Sequence, residues 1–275
     1  MSTSPLRPLV AYFALAYAIT WGGIFAVVAS RGFDLVGFTT NDVALVALPM
    51  LLGPSIAGLV LTAFYGGRPA LADLGARLRR WRVPISPWAI ALGTNPITFL
   101  AVLGVLTIVV SPDFAPVFNP TFLVLGLVAG SLEELGWTGF ATPRLLGRMP
   151  VLRAGLVLGV PWAAWHAAAD FTINGATMGQ SWIPYFAVYW LAILIPYRVL
   201  MTWVYARTGS VLVAIFMHAS YTGWQGALAP VTEQPQSFVW QVALAIALGI
   251  VVVAIVRPWS VAVGRPVAQE IGVAR

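Results

Sequence analysis

Eight nearly unbroken apolar stretches divide the chain, at 9–29, 43–65, 88–110, 120–141, 151–171, 182–206, 210–229 and 238–256. About 20 helical residues cross about 30 Å of hydrocarbon, so each stretch is long enough to span a bilayer. The pattern predicts an all-α, polytopic membrane helix bundle of about eight transmembrane helices. Pro49, Pro54, Pro96, Pro161 and Pro196 fall inside the stretches. They predict kinks at places where neighbouring helices satisfy the freed backbone groups. The first stretch is longer than the apolar part of a cleavable signal and others follow it, so it is expected to be a retained helix.

The polar positions between the stretches orient the bundle. Arg7 precedes the first; Arg68, Arg77, Arg79, Arg80 and Arg82 follow the second; Arg144, Arg148 and Arg153 follow the fourth. Arg207 follows the sixth, and Arg257, Arg265 and Arg275 follow the eighth. The alternate connections carry Asp34, Asp42, Asp113 and Glu233, with Arg31 as their arginine. Arginine-rich connections face the cytoplasm, so both termini are expected there, and an odd number of spans would break the alternation. Between them, 66–86 sets Leu71, Leu74 and Leu78 among arginines and reads as a short amphipathic helix on the cytoplasmic interface. With no internal repeat, 1–275 reads as a single integral membrane domain. Residues 1–119 form scaffold helices, 120–229 hold the candidate chemistry, and 230–275 form the last helix and a cytoplasmic tail.

Composition sharpens this picture. Across 275 residues, 60% hydrophobic and 9% charged residues with a mean hydropathy of +0.88 exclude an ordinary soluble globule. The net charge of +6 does not point to nucleic acid, because every basic residue is an arginine and nearly all border apolar stretches. The absence of cysteine removes disulfides, thiolate metal ligands and a cysteine nucleophile.

Against this background the run Ser131-Leu-Glu-Glu-Leu-Gly-Trp-Thr138 stands apart, since it sets two adjacent carboxylates in an apolar span. A charged group near the bilayer centre costs roughly 3 kcal/mol or more, which marks a cavity, relay or catalytic site. The chain's two histidines, His166 and His218, lie in later spans, as do Asp170 and Arg198. The first three spans hold no carboxylate, imidazole or guanidinium in their apolar cores, where Asn95 is the strongly polar exception and can bond to a neighbouring helix. Chemistry therefore belongs to spans four to seven. On a helix Glu133 and Glu134 project about 100° apart, and Glu134 shares a face with Thr138. Trp162, His166 and Asp170 share a stripe of the fifth span, where the carboxylate could fix the imidazole. His218 and Thr222 repeat that spacing in the seventh. Glu133, His166 and His218 fall at similar depth and can meet across a bundle. Arg198 either snorkels or pairs with Asp170 or a glutamate. Arg144, about 15 Å along the helix from the glutamates, reads as an interfacial anchor.

At these residues the chain resembles the CAAX protease and bacteriocin-processing family of intramembrane proteases, which includes the type II CAAX prenyl endopeptidases. The family pattern is Glu-Glu-x3-Arg, then Phe-x3-His, then His-x3-Asn or Asp. Here it reads Glu133-Glu134-x3-Thr138, Trp162-x3-His166 and His218-x3-Thr222, spread over 121–223. Two departures stand out: Thr138 replaces an arginine, for which Arg198 is a candidate substitute, and Thr222 replaces an asparagine or aspartate.

The resemblance implies hydrolysis of a peptide bond in a membrane-associated substrate, which could be lipidated. Glu133 would act as general base, Glu134 would be held by hydrogen bonds, His218 with Thr222 would stabilise the oxyanion, and His166 would position water or protonate the leaving amine. Trp162, Asp170, Thr138 and Arg198 would support them. A metal-dependent form would use Glu134, His166 and His218 to hold zinc or another divalent ion. Two rivals stay open: a non-catalytic membrane binding or immunity protein of the same fold, and a proton-coupled transporter built on the same acids. Beyond the bilayer and a peptide or protein substrate no partner is implied, and the family points to a bacterial plasma membrane.

Overall fold

The computed structural model describes residues 6–175, 182–233 and 235–256. Among them all regular structure is helical. The main helices are α1 (Arg7–Ser30), α2 (Thr40–Leu78), α3 (Ile85–Val109), α4 (Thr121–Gly136), α5 (Val151–Trp165), α6 (Ile195–Thr208), α7 (Val211–Ala227) and α8 (Gln236–Val256). Their outer faces carry large apolar side chains, with Ile108 87% and Phe64 77% exposed. Such a surface suits lipid rather than water. The chain is an integral membrane protein.

Among the described residues, five helices are long and apolar enough to cross a membrane: Arg7–Ser30, Thr40–Leu78, Ile85–Val109, Ile183–Thr208 and Gln236–Val256. The three expected spans outside that set contain α4, α5 and α7, of 16, 15 and 17 residues. These three carry the glutamates and the histidines. Regular α-helix stops beside the chemistry in two of them. α4 passes into a π turn (Trp137–Ala141) and a short helix (Thr142–Leu146). α5 breaks at His166, then resumes as Ala167–Asp170 and a π turn (Phe171–Gly175). A third π turn (Val188–Leu194) leads into α6. Single π turns in a helix recur at functional sites.

The segment expected as a short helix after the second span is helical as far as Leu78, and a kink at Gly67 separates it from the rest of α2. The helix bends at Gly67, whose φ of 60° and ψ of −154° lie outside the helical range, and continues to Leu78. Leu74 is buried against Tyr205, Val211 and Ile215, and Arg77 is buried as well. Both are drawn inward by partners on the rods that carry the site. The arginines at 257, 265 and 275, and the tail expected after 256, lie outside the described residues.

Small residues let the site helices approach their neighbours. Gly126 and Gly130, four apart on α4, face α7 so closely that a Cβ on Gly126 would lie 2.6 Å from Ala219 O, and one on Gly130 would lie 3.4 Å from His218 Cβ. Gly155 and Gly159 do the same between α5 and α6, against Val199 and Ile195. Close small-residue contacts are a common docking device in membranes, where no hydrophobic gain drives helices together. Asn95 ties α3 to this core, donating to Tyr197 Oη at 2.8 Å and to Ser220 Oγ at 3.2 Å.

Candidate active site

Glu134 follows Gly130 by one turn, on the face of α4 that abuts α7, so its carboxylate meets His218. His218 Nδ1 lies 2.8 Å from Glu134 Oε1. Arg198 reaches across from α6 and donates to the same carboxylate in bidentate fashion, 2.9 Å to Oε1 and 3.0 Å to Oε2. Thr138 Oγ1, one turn along, also donates to Oε2. Glu134 and Arg198 are both fully buried. A buried ion pair holds only with good geometry and further hydrogen bonds, and this carboxylate has both.

Glu133 projects elsewhere. Its Oε2 is 3.9 Å from His218 Nε2, buried, and without a hydrogen-bond partner among the described residues. His218 thus stands between the two glutamates, with Nδ1 on Glu134 and Nε2 facing Glu133. The two neighbouring acids have different surroundings.

His166 sits at the break after α5. Its backbone N–H turns to Ala163 O at 3.2 Å, which frees Trp162 O to accept from its own Nδ1 at 2.8 Å. Nδ1 donates to a carbonyl, so Nε2 of the neutral ring is the acceptor. Trp162 lies between the two histidines, with ring centroids 5.2 Å from His166 and 5.9 Å from His218. Its face also receives the Arg198 guanidinium at 3.9 Å.

Glu133, Glu134, His166, His218, Trp162, Thr138 and Arg198 therefore meet at one place. Of the readings open for Arg198, the structure selects the glutamate, and the guanidinium missing at position 138 arrives from another helix. Asp170 does not orient His166: its Oδ2 accepts from Trp190 Nε1 at 2.8 Å, while Trp162 O holds the imidazole. Thr222 is half-buried one turn beyond His218. Arg144 donates to Phe140 O at 2.8 Å and lies over that residue's ring.

Among the described residues, no three His, Asp or Glu groups are disposed to hold a metal ion. Glu134, one of the expected zinc ligands, already gives its oxygens to Arg198, His218 and Thr138. The set Glu134, His166 and His218 does not fit a metal in this arrangement.

Residues 115–224 match the family model of the type II CAAX prenyl endopeptidases, Rce1-like. A protein named CAAX prenyl protease 2 from Methanococcus maripaludis is 29% identical over 199 residues, which is 63% of this chain and 69% of that relative. The matched segment opens just before α4 and closes in α7, so it contains Glu133, Glu134, His166, Arg198 and His218.

Several contributors escaped sequence reasoning. Side chains bond to carbonyls of the π turn after the glutamates: Thr142 Oγ1 to Trp137 O at 2.8 Å, beside the bond from its own backbone N–H, and Arg77 Nη1 to Gly139 O at 2.9 Å. Arg77 also reaches Tyr205 Oη at 3.0 Å and Asp73 at 2.8 Å. Tyr17, Trp21 and Ser55 likewise bond to backbone near the site. The glycine pairs four residues apart were readable as docking faces. Nothing in sequence marks which arginine or tryptophan will cap a freed carbonyl.

Proposed function

We propose that this protein is an intramembrane endopeptidase that hydrolyses a peptide bond in a membrane-associated or prenylated substrate. The observation that carries the reading is the split of the glutamate pair, with Glu134 locked to Arg198 and His218 while Glu133 is buried, its Oε2 without a hydrogen-bond partner and 3.9 Å from His218 Nε2. The family match of residues 115–224 supports the reaction class.

Glu133 takes a proton from the water that attacks the scissile carbonyl. His218, its Nδ1–H resting on Glu134, presents Nε2 to the same space. With a second proton on Nε2 it donates to the developing oxyanion, assisted by Thr222. His166 offers Nε2 as an acceptor that positions water, then takes up through Nε2 the proton that Glu133 removed and passes it to the leaving amine, which returns Glu133 to its carboxylate. Arg198 and Thr138 keep Glu134 oriented, Trp162 separates the imidazoles, and Asp170 braces the π turn through Trp190. No step runs through a metal.

In this proposal eight helices span the bilayer, both termini face the cytoplasm, and the membrane is a bacterial plasma membrane. The arginine alternation supports the orientation. The test is turnover of a prenylated peptide ending in a C-a-a-X sequence by purified protein in liposomes, read by mass spectrometry. A shortened product formed by wild type and not by Glu133→Gln supports the reading; no product from either with that peptide or a panel of membrane peptides favours a non-catalytic binding protein.

A further inference from the structure

Four side chains from α1 and α2 end on backbone carbonyls of the two rods that bear the glutamates and His166. Ser55 Oγ donates to Leu132 O, beside Glu133. Arg77 Nη1 donates to Gly139 O at 2.9 Å, in the π turn that follows Glu134. From α1, Tyr17 Oη donates to Pro161 O at 2.6 Å and Trp21 Nε1 to Trp165 O at 3.0 Å. All four donors precede residue 115, where the matched segment begins.

Such a concentration has a physical reason. In hydrocarbon, a carbonyl displaced from the helical ladder needs another donor. At His166 the ladder is open, because the backbone N–H has moved to Ala163 O and the imidazole has taken its place on Trp162 O. Closing the ladder would return His166 N–H to Trp162 O, four residues back, and displace Nδ1. Tyr17 and Trp21, one turn apart on α1 with ring centroids 5.0 Å apart, serve the carbonyls on either side of that opening. They pin the backbone on both sides of the opening, at Pro161 next to Trp162 and at Trp165 next to His166.

We infer that α1 and α2 are a positioning frame for the catalytic rods, and that Trp21 and Tyr17 are positioning residues that hold His166 with Nδ1 as donor and Nε2 as acceptor. The consequence for turnover rests on the protease reading; the consequence for the imidazole does not.

The experiment is nitrogen-15 NMR of the full chain in detergent, labelled at histidine. Only His166 and His218 contribute, and His166→Gln assigns them. In wild type the His166 ring shows a slowly exchanging Nδ1–H. In Trp21→Phe that signal shifts or exchanges fast while the His218 signals stay, and kcat falls by roughly 100-fold, the scale of a 1 Å misplacement, at unchanged KM. Tyr17→Phe is the second variant and decides the matter if Trp21→Phe does not fold. Thr107→Val, which removes a bond to Leu103 O within α3, moves neither signal. A His166 signal unchanged in both α1 variants overturns the frame, whatever happens to turnover. Absence of wild-type turnover counts against the protease reading alone, and the imidazole signals still decide the frame.

Discussion

His218 touches Glu134 through Nδ1 at 2.8 Å and faces Glu133 through Nε2 at 3.9 Å, so a single ring stands between two adjacent glutamates. The opposite fates of the two acids set the first expectation. Glu133→Gln should lower turnover by at least about 100-fold, the minimum for a lost general base, and cost far less stability than loss of Glu134, because Glu133 has only its looser contacts with His218 and Trp162 to lose. Glu134→Gln should cost about 3–5 kcal/mol by leaving Arg198 buried without its counter-charge. Denaturation of the two variants in one detergent separates the cases. Equal loss of stability would contradict the division of roles.

Arg198 and Thr138 make a second expectation. Arg198→Met should abolish activity and destabilise the protein by an amount similar to Glu134→Gln. Adding Thr138→Arg returns a guanidinium to the same carboxylate from one turn along α4, and should recover part of both properties. Stability and turnover of the single and double variants check it, and a double variant no better than Arg198→Met would show that the arginine must come from α6.

These residues also show how far the sequence could be read. The apolar stretches, the convergence of Glu133, Glu134, His166 and His218, and the candidacy of Arg198 were legible, because charge in hydrocarbon is too costly to be accidental. The breaks in α4 and α5 were not. A π turn has no composition of its own, and the residues that satisfy its carbonyls are set by tertiary contact. Asp170 was misread for the same reason: its spacing from His166 suggested a tautomer-fixing partner, but the broken helix offered Trp162 O instead. Arg77 looked like an interfacial charge until the bend at Gly67 turned it inward.

Helix docking gives a third expectation. A Cβ on Gly136 would strike Pro54 O and come within 2.5 Å of Tyr12 Oη, and the backbone there cannot yield without moving the glutamates. Gly136→Ala should therefore destabilise by about 1–3 kcal/mol and reduce turnover together. Gly104→Ala, where nothing lies within 4 Å, should do neither. Parallel melting curves and rates decide this.

Metal dependence is a fourth. With Glu134 committed to Arg198, chelator should leave turnover within about 2-fold, since none of the steps assigned to the side chains draws on a Lewis acid. Loss of activity on chelation, restored by added zinc, would require the site to rearrange around a metal.

The most direct measurement is a termini-resolved proteomic comparison of membranes carrying wild-type protein and membranes carrying Glu133→Gln at equal abundance. The account predicts new peptide ends with wild type alone, and those ends would identify the substrate. Identical termini in the two membranes, with both proteins folded and several growth conditions sampled, would contradict proteolysis and leave a membrane binding protein.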